Sequence, residues 1–484
     1  MIERIAGFRL SKALLLGLVG ILLIGAGVAS YLDTHGLSYK ELIVGAGALI
    51  LATIVLGGER GIQLGLVLWV LTLALGYRTL ELTPNLRLHP SEILIWVLLA
   101  FILVQRQLDS TALTFPLWLW LMVPFWVLGW WPLVVGDAPW DKMLNEFRDF
   151  LLLIPLMIVM SVVLRRESYW RRLLVAFFIA STWIALMGVL EYWFPSLERL
   201  FPAFIQAAKA ESTADGFVRA QFSFWGGSQA TFICVLALPA SLALASWWRN
   251  WLPRTAVVAA SVLQILAIYI GGYRSVWLVL LIQVTVACFL RLKKHGVAIA
   301  MLCLIVGGIG YQFIPKTDER VMSGIAALKG APIDHSAQDR KDRALDALSQ
   351  TFQSPFGGGW SSAGWVHSDF LQVSANLGLI AGCIFLGGYL FTLQRLGRRI
   401  RPWLSISGHG DLALALFLSF IAAGAHLTLQ GVQVLPQMVL PVWFVWVLVE
   451  LWLQHTPDLA QPEFALAPVY TSEPRAVAIG QGLI

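Results

Sequence analysis

Charge is what this sequence has least of. Only 13% of its 484 residues are charged, against 58% hydrophobic, and the mean hydropathy is +0.75. Water-soluble domains carry about a quarter charged residues, so a soluble globular chain is excluded. Cysteine is scarce too. The four cysteines (Cys234, Cys288, Cys303 and Cys383) lie far apart inside apolar runs, with no CxxC pair. They read as small buried hydrophobes and give neither a disulfide framework nor a metal site. A phosphate-binding Gly-x-x-x-x-Gly-Lys loop, a His-Glu-x-x-His pair and a Gly-x-Ser-x-Gly elbow are all missing. Any reaction is therefore expected to draw on an already activated substrate or a gradient.

Long apolar runs are what the chain has in abundance. They recur near 13–30, 42–57, 61–76, 91–104, 117–135, 150–164, 173–193, 229–247, 255–270, 275–290, 296–313, 369–393, 411–428 and 436–453. The expected fold class is an all-α polytopic membrane protein with about 12–14 transmembrane helices, the lower count holding if short runs are re-entrant. The first run follows Arg4, Arg9 and Lys12 and imitates a secretory leader, but it reads as a retained first span.

Basic residues set the orientation. Arg165, Arg166, Arg171 and Arg172 are read as one short loop, Arg291, Lys293 and Lys294 as a second, and Arg395, Arg398, Arg399 and Arg401 as a third. All three fall on the side of the amino terminus, which the positive-inside rule makes cytoplasmic. The net charge of +6 then divides into about +10 inside and about −4 outside. The basic balance thus reports orientation, with no contiguous basic face for nucleic acid.

The domain reading follows. Transmembrane helices occupy 1–193, an external loop carrying Arg219 occupies 194–228, and further helices with an Arg274 turn occupy 229–313. A large external loop, 314–368, ends at His367; C-terminal transmembrane helices follow over 369–453, and 454–484 is a proline-bearing disordered cytoplasmic tail. Long loops carry function more often than short connectors do.

Five polar residues need explaining. Arg219, in Gly216-Phe217-Val218-Arg219, has the planar fork that matches phosphate oxygens in pairs, or it snorkels at the interface. Arg274, in Gly271-Gly272-Tyr273-Arg274, sits in a turn between two apolar runs, where an arginine is costly and pairs or lines a cavity. His367 stands at the mouth of an apolar helix just after Gly357-Gly358-Gly359-Trp360, with a side chain suited to accept a proton near neutrality. Asp369 is placed to cap the following helix or to orient an imidazole. Arg340, with Arg343, Asp339 and Asp342, is read as part of a charged, mainly solvated amphipathic helix in the large loop.

Two further features carry less weight. Asp137, Asp141, Glu146 and Asp149 read as a solvated acidic loop whose spacing matches no calcium-loop pattern. Most of the 22 tryptophans fit an aromatic belt, while Trp225, Trp360 and Trp365 are candidates for stacking on sugar.

Taken in order, these motifs resemble the O-antigen ligase/polymerase family of membrane glycan transferases. The resemblance runs from about Arg219 to Gln394, about a third of the chain. It rests on Arg219 before Phe224-Trp225-Gly226-Gly227, on Arg274 in its glycine turn, on Ser354-Pro355-Phe356-Gly357-Gly358-Gly359, and on His367-Ser368-Asp369-Phe370-Leu371-Gln372. Ser368 stands where the family usually has Asn, Tyr273 where it has Ser, and Asn376 where Glu is frequent.

The resemblance implies a GT-C-like fold in the bacterial inner membrane with an active site facing the periplasm. It implies transfer of a glycan from an undecaprenyl diphosphate-linked donor to an acceptor hydroxyl, inverting and without metal or other cofactor. Arg219 and Arg274 would bind the diphosphate, with Arg340 and Asp369 as further binding residues, and His367 would act as base. The acceptor stays open between a growing glycan, a lipid A-core and a protein, and membrane lipids and polysaccharide-assembly proteins are the other expected partners. The competing expectation is a transporter of an anion such as bicarbonate, or of a polysaccharide, using the same arginines.

Overall fold

The computed structural model describes residues 60–75, 80–81, 87–104, 115–136, 138–164, 167–194, 227–248, 250–292, 335–404, 409–429 and 436–456. Arg219, the first two expected spans, the run at 296–313 and the carboxy-terminal tail lie outside them. The described residues are overwhelmingly helical. Their one strand pairing is antiparallel and two residues long, Leu80–Glu81 (β1) with Arg87–Leu88 (β2).

The helices in chain order are α1 Arg60–Thr72, α2 Pro90–Val104, α3 Leu117–Leu128, α4 Trp131–Val135, α5 Trp140–Leu151 and α6 Leu153–Val163. Then come α7 Glu167–Trp193, α8 Gly227–Ala237, α9 Ala240–Trp247, α10 Trp251–Gly271 and α11 Arg274–Leu292. The last five are α12 His335–Gln353, α13 Asp369–Leu377, α14 Leu379–Trp403, α15 His409–Leu429 and α16 Pro436–His455.

Among the described residues six helices or helix pairs are long and apolar enough to cross a membrane: Leu117–Val135, Tyr169–Trp193, Trp251–Gly271, Leu379–Trp403, Gly410–Leu429 and Met438–His455. A seventh is the pair α8 and α9, bent by 42° at its break. The chain is a multi-pass helical membrane protein.

Where each helix sits follows from its pattern. The stretch Met438–Leu453 on α16 is apolar nearly all round, and it is buried among other helices. Around it Trp118, Phe150, Phe385, Trp443 and Trp446 interlock with centroids 4.8–6.2 Å apart, mostly as tilted and edge-to-face rings, with Phe385 and Trp446 stacked and offset at 5.8 Å. Such geometry suits the ring quadrupole better than face-to-face stacking. In contrast, α14 buries Phe385, Tyr389 and Thr392 while Ile380, Leu386, Leu390 and Phe391 stay exposed, as a helix at the lipid face should.

Three sequence expectations change here. The run at 369–393 is not one span: it breaks at Gly378, whose φ of +100° a side chain rarely adopts. A Cβ at that position would also lie 2.6 Å from the Pro355 carbonyl oxygen. Secondly, Arg395, Arg398, Arg399 and Arg401 form no loop but the last turns of α14, because cations are favourable at a helix carboxyl end. Arg395 pairs there with the buried Glu450 at 3.2 Å. Arg171 and Arg172 likewise belong to α7, not to a connector. Thirdly, the cysteines are not uniformly buried: Cys234 is, Cys288 is half-buried and Cys383 is exposed on α14.

Candidate functional site

The segment from Ser354 to His367 is irregular, yet almost every part of it is tied down. Its glycines let it thread between helices. Gly358 N–H donates to the Ala375 carbonyl at 3.0 Å and Gly359 N–H to the Asn376 carbonyl at 2.8 Å. On the other side Trp360 N–H donates to the Gly129 carbonyl at 2.9 Å, and its indole Nε1–H to the Trp126 carbonyl at 3.0 Å. Gly359 has φ +92°, and a Cβ there would meet Pro132 at 2.1 Å, so no other residue fits. The turn is thus wedged between the C-terminal part of the span Leu117–Val135 and the short helix α13.

Its floor is a carboxylate. Glu146 on α5 is buried and accepts Ser361 N–H at 2.8 Å, the Asn376 amide at 2.7 Å and the Gln372 amide at 3.3 Å. Asn376 turns its other face to the same loop: its Oδ1 accepts Ala363 N–H at 2.9 Å and the Ser362 hydroxyl at 3.2 Å. Ser361 is the one non-glycine among the described residues with a left-handed backbone, φ +66°, and its N–H is the group that Glu146 holds. Such a conformation persists where the surroundings over-determine it. Burial pushes the Glu146 carboxyl up from the ordinary range to about 7, against the lowering effect of its three donors.

The acidic cluster therefore does not read as expected. Glu146 and Asp149 are buried on α5, not solvated in a loop. Met143, Phe147 and Phe150 share the helix with them, and that amphipathic spacing in Trp140–Leu151 was the missed signal. Arg148, on the same helix, is buried as well. It pairs with Glu92 on α2 at 2.7 Å and reaches Asp149 at 3.5 Å. An open groove of about 400 Å³ runs along α2 past this cluster, lined by Glu92, Ile93, Trp96, Val97, Ala100 and Arg148.

His367 follows the wedge directly. It is half-buried, with its ring 4.6 Å from that of the exposed Trp365 and tilted 45° to it. Asp369 is fully buried in the first turn of α13. The N-cap position of α13 belongs to Ser368, which makes no side-chain cap bond, so the expected cap at Asp369 is displaced by one residue. Arg340 is half-buried on α12, which packs along α13. That helix exists as expected and most of its described residues are exposed, with Ala347 and Thr351 as the two buried ones. It also braces the turn, with Arg343 donating to the Trp365 carbonyl at 3.3 Å and Gln350 to the Ser362 hydroxyl at 3.0 Å.

Thus the structure brings His367, Asp369 and the Arg340 helix to one end of the bundle. Arg274 opens α11, a helix that packs against α8, α10 and α15. Helix α15 in turn packs against α13 as well as α11. Among the tryptophans, Trp360 is removed from the stacking candidates. It is 3% exposed and packed on Phe147 and Phe150, so no sugar reaches its face. Trp365 remains, and Trp225 lies outside the described residues.

No protein-family model matches the chain, and no curated protein matches it significantly.

Proposed function

We propose that the chain is a membrane glycosyltransferase that moves a glycan from an undecaprenyl diphosphate-linked donor to an acceptor hydroxyl on the periplasmic face of the inner membrane. The observation that supports this best is the placement of His367. It sits half-buried beside an exposed tryptophan, at the end of a turn immobilised between a membrane-spanning helix and a short helix. A general base must be held still and yet be reachable, and this position offers both.

In this reading His367 takes the proton of the acceptor hydroxyl as that oxygen forms a bond to the anomeric carbon. The bond from that carbon to the diphosphate oxygen breaks, its electron pair leaving with the diphosphate. Attack from the face opposite the leaving group inverts the centre. Arg219 and Arg274 balance the charge that develops on the diphosphate, while the half-buried Arg340 lines the approach; Asp369, fully buried, presents no surface to the substrate. The test is reconstitution of the purified chain in lipid with an undecaprenyl diphosphate-linked glycan and candidate acceptors. Arg274→Ala and His367→Ala are expected to abolish transfer with normal expression; undiminished turnover in His367→Ala removes the base.

A second reading, an anion or polysaccharide transporter, is favoured by the broken pair α8 and α9 and by the buried Glu92, Arg148 and Asp149. Broken helices and buried charges are common where transporters bind ions. Uptake of labelled bicarbonate or glycan into vesicles, with no glycan transfer, would select it.

A further inference from the structure

Helix α12 has three faces, and only two of them are explained by the fold. At 100° per residue Ala347 and Thr351 point one way, and both are buried on the side of α13. Asp339, Asp342, Arg343 and Asp346 make a charged flank, with Arg343 and Asp339 paired at 3.0 Å. The remaining sector, about 60° wide, carries Leu345, Leu348 and Phe352. These side chains are 53%, 39% and 66% exposed, and Phe356, four residues on, is 82% exposed.

The place where α12 ends says what covers that stripe. The Pro355 carbonyl accepts the N–H of Leu379, the first residue of the spanning helix α14, at 3.0 Å. The exposed apolar flank of α14 begins at the same point with Leu379 and Ile380 and continues through Leu386, Leu390 and Phe391. Between Phe352 and that flank the chain reads Gln353-Ser354-Pro355-Phe356, with no charge. On its other side the turn rests on Pro132 in the span Leu117–Val135, where Trp131 and Val134 are exposed. The apolar stripe of α12 therefore runs into surface that spanning helices present to hydrocarbon.

We propose that α12 is an interfacial helix whose partner is the bilayer itself. Leu345, Leu348, Phe352 and Phe356 enter the boundary between headgroups and acyl chains, on the leaflet beside the His367 turn. Lys341 falls in the same sector, toward the helix amino end, and reaches back to the headgroups along its own stem. Through Arg343 and Gln350 the helix then fixes the depth of the turn below it. This holds whichever reaction the chain performs.

The test uses the full chain in nanodiscs of phosphatidylethanolamine and phosphatidylglycerol, some with brominated acyl chains. In a background with Cys234, Cys288, Cys303 and Cys383 replaced by Ala, an NBD label is placed singly at Leu348→Cys, Phe352→Cys and Asp346→Cys. The first two are expected to be quenched by brominated lipid at least two-fold more than the third. Equal quenching at all three overturns the proposal. So does disulfide linkage between copies through Leu348→Cys, which would assign the stripe to a second chain. Shielding of Leu348→Cys from both bromolipid and aqueous iodide overturns it as well, since another part of this chain would then cover the stripe. Should the cysteine-free chain not fold, hydrogen exchange of 335–353 replaces the label. Exchange in nanodiscs is expected to be slow in the native chain and at least ten-fold faster in the double variant Leu348→Asp, Phe352→Asp; equal rates overturn the proposal.

Discussion

The Glu146 carboxylate accepts the Asn376 side-chain amide at 2.7 Å across 230 residues of sequence, and together they clamp both ends of the loop 361–363. Removing the carboxylate leaves the Ser361, Gln372 and Asn376 donors without it in a buried place. Each orphaned donor costs roughly 1–3 kcal/mol. Glu146→Ala is therefore expected to lower thermal stability strongly and to abolish the glycan transfer proposed above. Glu146→Gln is expected to keep most of both. Its carbonyl can take the Oε2 position, and its amide can donate to Gln372 once that side chain flips, since Gln372 Oε1 is buried without a hydrogen bond. Differential scanning of both variants in nanodiscs checks this, and equal loss in the two would show that charge rather than shape is needed.

The pH dependence has a definite sign. The Glu146 pKa is raised in the fold, from 4.5 to about 7, so the native state holds a proton that the unfolded chain has released. Its contribution is full below about 4.5 and is lost as pH rises toward about 7. The stability of native protein relative to Glu146→Gln is thus expected to fall between those two values and then level. Asn376→Asp places a second carboxylate at 2.7 Å, so its stability deficit is expected to grow with pH, from small at pH ~5 to large at pH ~8. A deficit independent of pH would refute the electrostatic account.

How much of this was legible follows from which forces act locally. The spans of α7, α10, α15 and α16 were readable because hydrocarbon imposes length and composition on a contiguous segment. The break at Gly378 was not, since Leu377-Gly378-Leu379 interrupts no apolar run, and the Pro355 carbonyl that crowds Gly378 and accepts the Leu379 N–H comes from a turn outside that run. Glu146 was misjudged for a related reason. A carboxylate among other acids looks solvated until the three donors that bury it arrive from residues 361, 372 and 376. His367 was visible as a chemical type beside a glycine turn. The wedge that immobilises it was not, because Gly129 and Pro132 are more than two hundred residues away in sequence.

Two glycines of the turn separate close packing from backbone freedom. Gly359 has both a left-handed φ and Pro132 within 2.1 Å of a built Cβ, whereas Gly364, at φ +63°, has nothing within 4 Å. Gly364→Ala is expected to cost only the backbone term, about 1–2 kcal/mol. Gly359→Ala must push the turn off the span Leu117–Val135 and is expected to unfold the loop. Limited proteolysis between 354 and 367 reads the difference; equal protection of the two variants would mean that the wedge yields.

Trp360 and Trp365 lie five residues apart and are expected to fail in different ways. Trp360 is enclosed by Phe147, Phe150 and the Trp126 carbonyl, so Trp360→Ala opens a cavity and costs roughly 3–5 kcal/mol. Trp365 is 45% exposed, and its ring stands beside that of His367, in place to cover one face of a sugar bound there. Trp365→Ala is expected to leave the melting temperature within a few degrees of native. If an acceptor glycan stacks on it, the loss is about 0.5–1.5 kcal/mol of binding, a roughly two- to ten-fold rise in KM at nearly constant kcat. Trp365→Phe should restore most of that, since a smaller aromatic face remains. A fall in kcat with KM unchanged would instead assign Trp365 to holding the imidazole, and the sugar would have to rest elsewhere.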